Sequence, residues 1–225
     1  MAVTDQHPQY AAVKKSWQLM RDSSSVAGEE TIKEATTKYL PKSAGQIEAE
    51  KQSPLGKEIY NGYLQRAQYP LWVQDSLRTM IGLVSKLTPE IQIKSNLMKH
   101  LEENATNDGF GLKQLFIRIV EQIIEFGRCG LYIDVDGDGK PYFALYDALS
   151  IINWKENSVE GRKDTTLVVL EEQHSSGEDK FSHNTKTVQR SLELNDGNFE
   201  VFLHDGGKTE EKTPKIGNNS LGLGD

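Results

Sequence analysis

The sequence predicts an α+β fold in which N-terminal helices are followed by a mainly antiparallel sheet. Apolar residues recur every three to four positions up to Phe126 and every two positions after Gly127. These two periods are typical of helices and strands, respectively. The segment Asn195-Asp196-Gly197-Asn198 is a favourable hairpin turn between two of the strand-like runs.

The first third of the chain predicts short helices separated by polar breaks. Residues 9–22 carry apolar side chains at helical spacing and predict an amphipathic helix. A second helix is expected from Ile32 to Leu40, because Pro41 disfavours the helical conformation of the residue before it. Residues 41–54 are polar, and we expect a loop there.

Two stronger helical blocks follow. Residues 55–87 predict helix on both sides of Pro70, which breaks the block because proline lacks an N–H and clashes with the preceding turn. Leu97 to Leu101 predicts a brief helical turn, and the turn formers of residues 104–111 follow it. Leu112 to Phe126 predicts a helix with one broad apolar stripe, closed by Gly127.

That last helix and the strands after it provide the expected core. We expect the helical stripe to pack on a sheet that begins directly after the helix. The stripe is Phe116, Ile119, Val120 and Ile123, and its expected partners are Leu131, Ile133, Phe143 and Leu145.

Six segments with the alternation of strands follow Gly127, and residues 171–183 predict a polar loop. The six segments are 131–133, 142–145, 150–154, 165–170, 188–194 and 199–203. Residues 206–225 hold many glycines and few apolar side chains, so we expect them to be mobile and without regular structure. We therefore divide the chain into four regions: an N-terminal helical region (1–54), an α/β core (55–155), a β-meander (156–211) and a flexible tail (212–225).

Composition argues against several functional and structural classes of protein. The net charge of −7 argues against a general nucleic-acid clamp, which needs a basic surface for phosphate contacts. Cys129 is the only cysteine, so the chain forms no internal disulfide, and a buried structural thiol in a reducing compartment is expected. The first residues lack the pattern of a signal peptide, and no apolar run is long enough to span a membrane.

One acidic turn resembles a metal-binding loop. The segment Asp134-Val135-Asp136-Gly137-Asp138-Gly139 matches the start of an EF-hand loop, which needs a carboxylate at its twelfth position. That position is Leu145, and strands rather than helices flank the turn. A hairpin turn with solvated acids is therefore the preferred interpretation, with a Ca²⁺ site as the alternative.

The remaining sequence offers no chemistry of its own. The five histidines lack metal-ligand spacing, the pair Glu171-Glu172 shows no cleft around it, and neither a nucleophile elbow nor a phosphate-binding loop occurs. We therefore expect a protein that is not an enzyme, with no catalytic, cofactor-binding or metal-binding residue. Trp17, Tyr63, Trp72 and Trp154 are candidate anchors of an oligomer interface, or else ordinary core residues.

Six segments spread along the chain carry a resemblance to a known family. They are Trp17–Asp22, Tyr39–Pro41, Gly82–Val84 with Lys86 and Pro89, Gly127–Asp134, Pro141–Trp154 and Thr166–Glu172. Each is weak alone, but their order and spacing across roughly residues 10–205 resemble the wing region in the N-terminal half of one family of tailed-bacteriophage portal proteins. The family is about twice as long as this chain, so the chain resembles its N-terminal half.

The resemblance implies a structural role as a homo-oligomer. Portal subunits form a ring, probably a dodecamer in the full-length family, at one capsid vertex. That ring nucleates the shell, docks the terminase, passes double-stranded DNA, and contacts capsid, scaffolding and head-completion proteins. The implied location is the virion, and the host cytoplasm during assembly, without a membrane partner.

Two other functions remain open at the sequence level. A metal-dependent DNA-processing enzyme would use Asp134, Asp136 and Asp138 with Mg²⁺, which requires acids that converge from separate elements. A small noncatalytic head–tail adaptor would share the acidic character but not the ordered portal-like motifs. The size of the particle in solution separates these alternatives.

Overall fold

The fold is known from a computed structural model. It describes residues 2–25, 27–87, 90–159, 162–176, 183–195, 197–212, 215–216 and 219–220. The chain divides into two compact units, which differ from the four regions drawn from the sequence. The helical unit is Gln18–Lys86, and the sheet unit comprises Met1–Trp17 and Leu87–Asp225.

Helices precede the strands, as the sequence predicts. Their bounds are α1 Pro8–Ser24, α2 Gly28–Glu34, a 3-10 turn Thr36–Lys38, α3 Ala44–Gln52, α4 Leu55–Arg66, α5 Trp72–Ser85, a second 3-10 turn Asn96–Glu102, and α6 Leu112–Phe126. Gly127 ends α6 with a φ of 78°, a left-handed conformation that glycine adopts without strain. In the described part of the chain, no helix has the length and apolar character that crossing a bilayer requires.

The expectation of a loop over residues 41–54 is wrong, because Ala44–Gln52 forms α3. Its start is fixed by a capping box, in which Gln46 N donates to the Ser43 hydroxyl at 3.3 Å and Ser43 N donates to Gln46 Oε1 at 2.8 Å. A Cβ on Gly56 would lie 2.3 Å from the Ala49 carbonyl, so only glycine allows α4 to approach α3 this closely.

The helical unit is held by polar contacts as much as by apolar ones. Ile32 and Tyr60 are its buried apolar residues, and the Tyr60 hydroxyl donates to Leu40 O at 2.7 Å. Tyr69 donates to Ser23 O at 3.1 Å, so the segment before α5 is tied to the end of α1. The short 3-10 turn replaces part of the second helix that was expected through Leu40.

The strands form one large antiparallel sheet and two hairpins. Their bounds are β1 Gly130–Val135, β2 Pro141–Tyr146, β3 Ile151–Val159, β4 Arg162–Ser175, β5 Thr185–Asn195, β6 Asn198–Asp205, β7 Lys208–Glu211, β8 Lys215–Ile216 and β9 Asn219–Ser220. β1 pairs with β2, β3 to β7 form a five-stranded meander in sequence order, and β8 pairs with β9. The mainly antiparallel sheet after N-terminal helices is thus confirmed.

Two expectations about strand ends are corrected. Residues 171–175 continue β4 rather than opening a loop, because the polar run from Glu171 to Ser175 pairs in register with β5. Lys208–Glu211 pairs with β6 as the edge strand, and Lys215–Ile216 pairs with Asn219–Ser220, so two parts of the segment expected to lack structure are regular. Most of the rest of that tail, and residues 177–182, lie outside the described residues.

The β1–β2 hairpin has two chemically different faces. Ile133 lies opposite Phe143 on an apolar face, whereas Asp134 lies opposite Tyr142 on a polar aromatic face. The second face also carries Tyr132 and Tyr146, since side chains alternate along a strand.

The apolar face of the hairpin packs on α6 through only part of the expected stripe: Ile119 contacts the cluster that holds Phe143 and Leu145, and Leu115 is at its centre. Leu115 is almost fully buried with Leu101 and Ala105, and other apolar side chains pack against them. These are Ile93, Met98, Leu112, Ile119, Phe143 and Leu145.

The rest of the expected core is partly wrong. Ile123 on α6 is 50% exposed, and its expected partners Leu131 and Ile133 on β1 are 46% and 39% exposed. Leu115 and Ile119, one turn apart, are on the buried side of α6. Ile123 lies a further turn along α6 and is half exposed.

A second cluster anchors α1 to the meander within the sheet unit. Tyr10, Ile152 and Val169 are buried together, and Trp17 and Trp154 pack against them. The Tyr10 hydroxyl donates to Leu149 O at 2.9 Å, and His7 N donates to Ile152 O at 3.0 Å.

Leu115→Ala should destabilise the protein by about 3 kcal/mol, because it removes a buried side chain and leaves a cavity. Ile123→Ala, on the same helix but half exposed, should change the free energy of unfolding by less than about 1 kcal/mol. Chemical denaturation followed by circular dichroism measures both. Equal losses in the two variants would show that the core lies elsewhere on α6.

Candidate functional site

The acidic turn between β1 and β2 is built by its own carboxylates. Asp136 Oδ1 accepts hydrogen bonds from Asp138 N at 2.9 Å and from Lys140 N at 2.8 Å. Gly139 has a φ of 79°, which completes the tight turn. Asp136 therefore stabilises the hairpin turn, and Asp138 is exposed.

Asp134, the third acid of this segment, has a different environment. It lies on the polar aromatic face of β1, and its Oδ2 is 3.5 Å from Arg190 Nη1. Leu145, which occupies the twelfth loop position, packs against the Leu115 cluster. Within the described ranges, no group of three or more His, Cys, Asp or Glu side chains is arranged to hold a metal ion.

The most organised polar site lies where the hairpin meets the meander. Glu172 on β4 and Arg190 on β5 form its centre, with side chains only 12% and 14% exposed. Arg190 Nε donates to Glu172 Oε1 at 2.6 Å, and Arg190 Nη2 donates to Oε2 at 3.3 Å. This is a two-point contact between a guanidinium and a carboxylate, which fixes direction as well as charge.

The hairpin binds this ion pair through its polar aromatic face. The Tyr146 hydroxyl donates to Glu172 Oε1 at 2.6 Å, and Asp134 faces Arg190 from the other strand. His174 Nε2 lies 2.7 Å from Glu172 Oε2. We call these five residues the latch, because they link β1 and β2 to β4 and β5.

The latch changes the ionisation of its members. Burial opposes ionisation of Glu172, but the hydrogen bonds from Arg190, Tyr146 and His174 outweigh it, so the pKa of this carboxyl lies below its ordinary value. Burial, followed by the bond to Glu172, raises the pKa of the Tyr146 hydroxyl. Both effects keep Glu172 charged and Tyr146 protonated at neutral pH.

An open cleft of about 440 Å³ borders the latch. Asp134, Tyr142, Tyr146, Glu172 and Arg190 line one part of it, and Asp108 and Arg118 line another. Arg118 Nη1 pairs with Asp108 Oδ2 at 2.8 Å. The cleft thus contains charges of both signs that are already paired with each other, which indicates a structural contact more than a catalytic one.

A second arrangement surrounds Arg128, directly after α6. Its guanidinium lies between the rings of Trp17 and Trp154, 4.5 Å and 4.7 Å from their centroids. His7 stacks on Trp154 with a centroid distance of 3.9 Å. Trp17 Nε1 donates to Phe126 O at 3.0 Å, so this stack ties α1 to the end of α6.

The four candidate interface anchors therefore have different environments. Trp17 and Trp154 are half-buried in the Arg128 stack, and Tyr63 packs beside Tyr60. Trp72, at the start of α5, is 75% exposed. Of the four, Trp72 keeps the character of an interface anchor.

Cys129 is half-buried rather than fully buried as expected, and burial raises the pKa of its thiol. The histidines are dispersed in the structure: His100 Nε2 contacts Pro141 O at 2.8 Å, and His204 Nε2 contacts the Ser191 hydroxyl at 3.0 Å.

Sequence reasoning missed the latch and the Arg128 stack. Glu172 stood out only as half of an acidic pair, and Arg190 did not stand out at all. The available sequence signal was one charged residue on each of two neighbouring strands. Glu172 lies on the same face of its strand as Leu170, and Arg190 lies on the same face as Leu192. Pairing register, which the sequence leaves open, is what brings these charges together.

No protein-family model matches the chain, and no curated protein matches it either. Assignment of a function therefore depends on the motif resemblance and on the geometry described above.

Glu172→Gln should lower the free energy of unfolding at pH 7 by about 3 kcal/mol, because it leaves Arg190 buried beside a neutral partner. The pKa of Glu172 is lowered in the folded state. The ionised Glu172 carboxylate therefore contributes its full stabilisation above the pKa of the unfolded state, near 4.5. This stabilisation is lost as pH falls through the lower pKa of the folded state. The variant should thus lose less stability than the wild type between neutral and acidic pH.

Glu171→Gln is the matched control, since Glu171 lies on the same strand with its side chain on the opposite face. Urea denaturation at a series of pH values measures both variants. A Glu172→Gln curve parallel to the wild type would show that the latch does not contribute to acid sensitivity.

Proposed function

We propose that this chain is a structural subunit of a tailed-phage portal, or an N-terminal fragment of one. The observation that carries the proposal is the order of the portal-like segments along the chain. The longest of them, Gly127–Asp134 and Pro141–Trp154, form the end of α6, the β1–β2 hairpin and the start of β3. They meet in one folded unit, which supports treating them as one motif.

The surface of α5 supports an assembling protein. The apolar residues of α5 lie along about half of the circumference of the helix. The side of this apolar face that contains Trp72 is exposed to solvent. The exposed apolar residues of α5 and the segment just after it are Trp72, Met80, Leu83 and Leu87. Exposed apolar surface with an aromatic anchor is typical of a site that another protein covers.

The distribution of charge is also consistent with a DNA conduit. The helical unit Gln18–Lys86 has nine basic and eight acidic residues, whereas the rest of the chain has seventeen basic and twenty-five acidic residues. An acidic surface repels the DNA backbone, and a passage for double-stranded DNA must not bind it tightly. In this proposal the ring partners are copies of the chain, and terminase, capsid, scaffolding and head-completion proteins bind the ring at the capsid vertex.

Neither rival function has an observation that favours it. A Mg²⁺-dependent DNA-processing enzyme would need Asp134, Asp136 and Asp138 to converge, but Asp134 faces Arg190 while Asp136 closes its own turn. A small head–tail adaptor has the same noncatalytic character, and assembly size distinguishes it from a portal.

The proposal predicts a ring-shaped particle. Negative-stain imaging with light scattering of the purified chain should give rings with a mass near twelve times 25.3 kDa, as expected for a closed cyclic homo-oligomer. A monomer or dimer at tens of micromolar protein would contradict the proposal, and Mg²⁺-dependent DNA cleavage would favour the enzyme.

Trp72→Ser should reduce the mass of the particle, while the free energy of unfolding changes by less than about 0.5 kcal/mol, because the side chain is largely exposed. Arg78→Ala is the matched control, since Arg78 is exposed on the same helix but on another side. Light scattering and thermal denaturation of both variants test this. Unchanged assembly in Trp72→Ser would remove this residue as an anchor.

A further inference from the structure

Arg128 is a partly buried cation without an acidic partner among the described residues. Its Nη2 donates to Ala148 O at 3.0 Å and to Ile151 O at 2.8 Å, but Nε is buried without a hydrogen-bond partner. Burial lowers the pKa of this guanidinium, and no Asp or Glu of the described residues acts on it. A buried charge is normally paired, so the carbonyls and the two tryptophan rings leave its charge only partly compensated.

Arg128 also lines a solvent-open cavity of about 380 Å³ between the hairpin and the meander. This volume lies in the range of small-molecule sites, which are mostly apolar with a few polar groups that orient the ligand. The walls match that description, because apolar and aromatic side chains from five strands line most of it. They are Leu131, Tyr132, Tyr146, Ile151, Trp154, Val168, Leu170 and Leu192.

The geometry points to a binding site for a small organic acid, with its carboxylate on Arg128 and its apolar body in this cavity. We propose this ligand class because one uncompensated positive charge beside an apolar wall matches one negative charge joined to an apolar group. A carboxylate can accept a charge-assisted hydrogen bond from Nη1, which has no acceptor among the described residues.

The chemistry of the walls narrows the ligand further. Trp154 lies in the cavity wall with Arg128 over its ring and His7 stacked on the same ring, so a ligand ring can contact its edge while the carboxylate contacts the guanidinium. A second negative charge would have no further cation in this wall, since Arg128 is the only basic residue among the described residues that line it. A monocarboxylate with one ring therefore fits better than a phosphate ester or a dicarboxylate. This site is independent of the proposed assembly role.

The test uses the purified full chain and 3-phenylpropionate as the probe. Titration followed by Trp fluorescence and by calorimetry should show saturable binding at one site per chain. The neutral isostere 3-phenylpropionamide should bind at least tenfold more weakly, because it cannot compensate the charge of Arg128. Absence of saturable binding of the acid, or equal affinity for acid and amide, would overturn the proposal.

Two variants identify the site. Arg128→Met should weaken binding of the acid at least tenfold and abolish the preference for acid over amide. Thr165→Phe adds a ring to the cavity wall and should also weaken binding, whereas Thr187→Phe, at an exposed strand position outside the cavity, should not. If Arg128→Met does not fold, the two threonine variants decide, and equal affinity in both would place the ligand elsewhere and overturn the proposal.

Discussion

The ion pair between Glu172 and Arg190 is the contact that joins the two β-structures of the sheet unit. The β1–β2 hairpin is too small to be stable alone, so each of its faces needs a support. Its apolar face rests on the Leu115 cluster, and its polar aromatic face rests on this ion pair through Tyr146 and Asp134. A buried ion pair costs desolvation energy, which good geometry and extra hydrogen bonds offset.

The placement of the hairpin determines two other features of the sheet unit, the cavity and the position of Arg128. Because Tyr132 and Tyr146 face the meander, a cavity remains between them and the Leu170–Leu192 wall. Because β1 follows Gly127 after only two residues, Arg128 is held at the edge of that cavity, between Trp17 and Trp154. The proposed ligand site is thus a consequence of how the hairpin is held, while the proposed assembly surface on α5 belongs to the other unit.

Much of the fold could be predicted from the sequence, because period and turn chemistry are local signals. The bounds of α6, its stop at Gly127 and the order of strands follow from such signals. Helix α3 was missed because it has almost no apolar stripe, although Ser43 and Gln46 carried a readable capping box. The latch could not be predicted, because register between β4 and β5 decides which charges meet. The portal-like motifs are a different kind of observation: they are a resemblance to a family, and they support the proposed function.

A double-mutant cycle between Glu172 and Arg190 tests the role of the ion pair most directly. It compares Glu172→Gln, Arg190→Met and the double variant with the wild type by urea denaturation at pH 7. If the pair holds the hairpin on the meander, the two changes should be coupled by about 1.5 kcal/mol or more, within the range for residues in one network. Effects that add to within about 0.4 kcal/mol would contradict the account, since they would mean that the two side chains act independently.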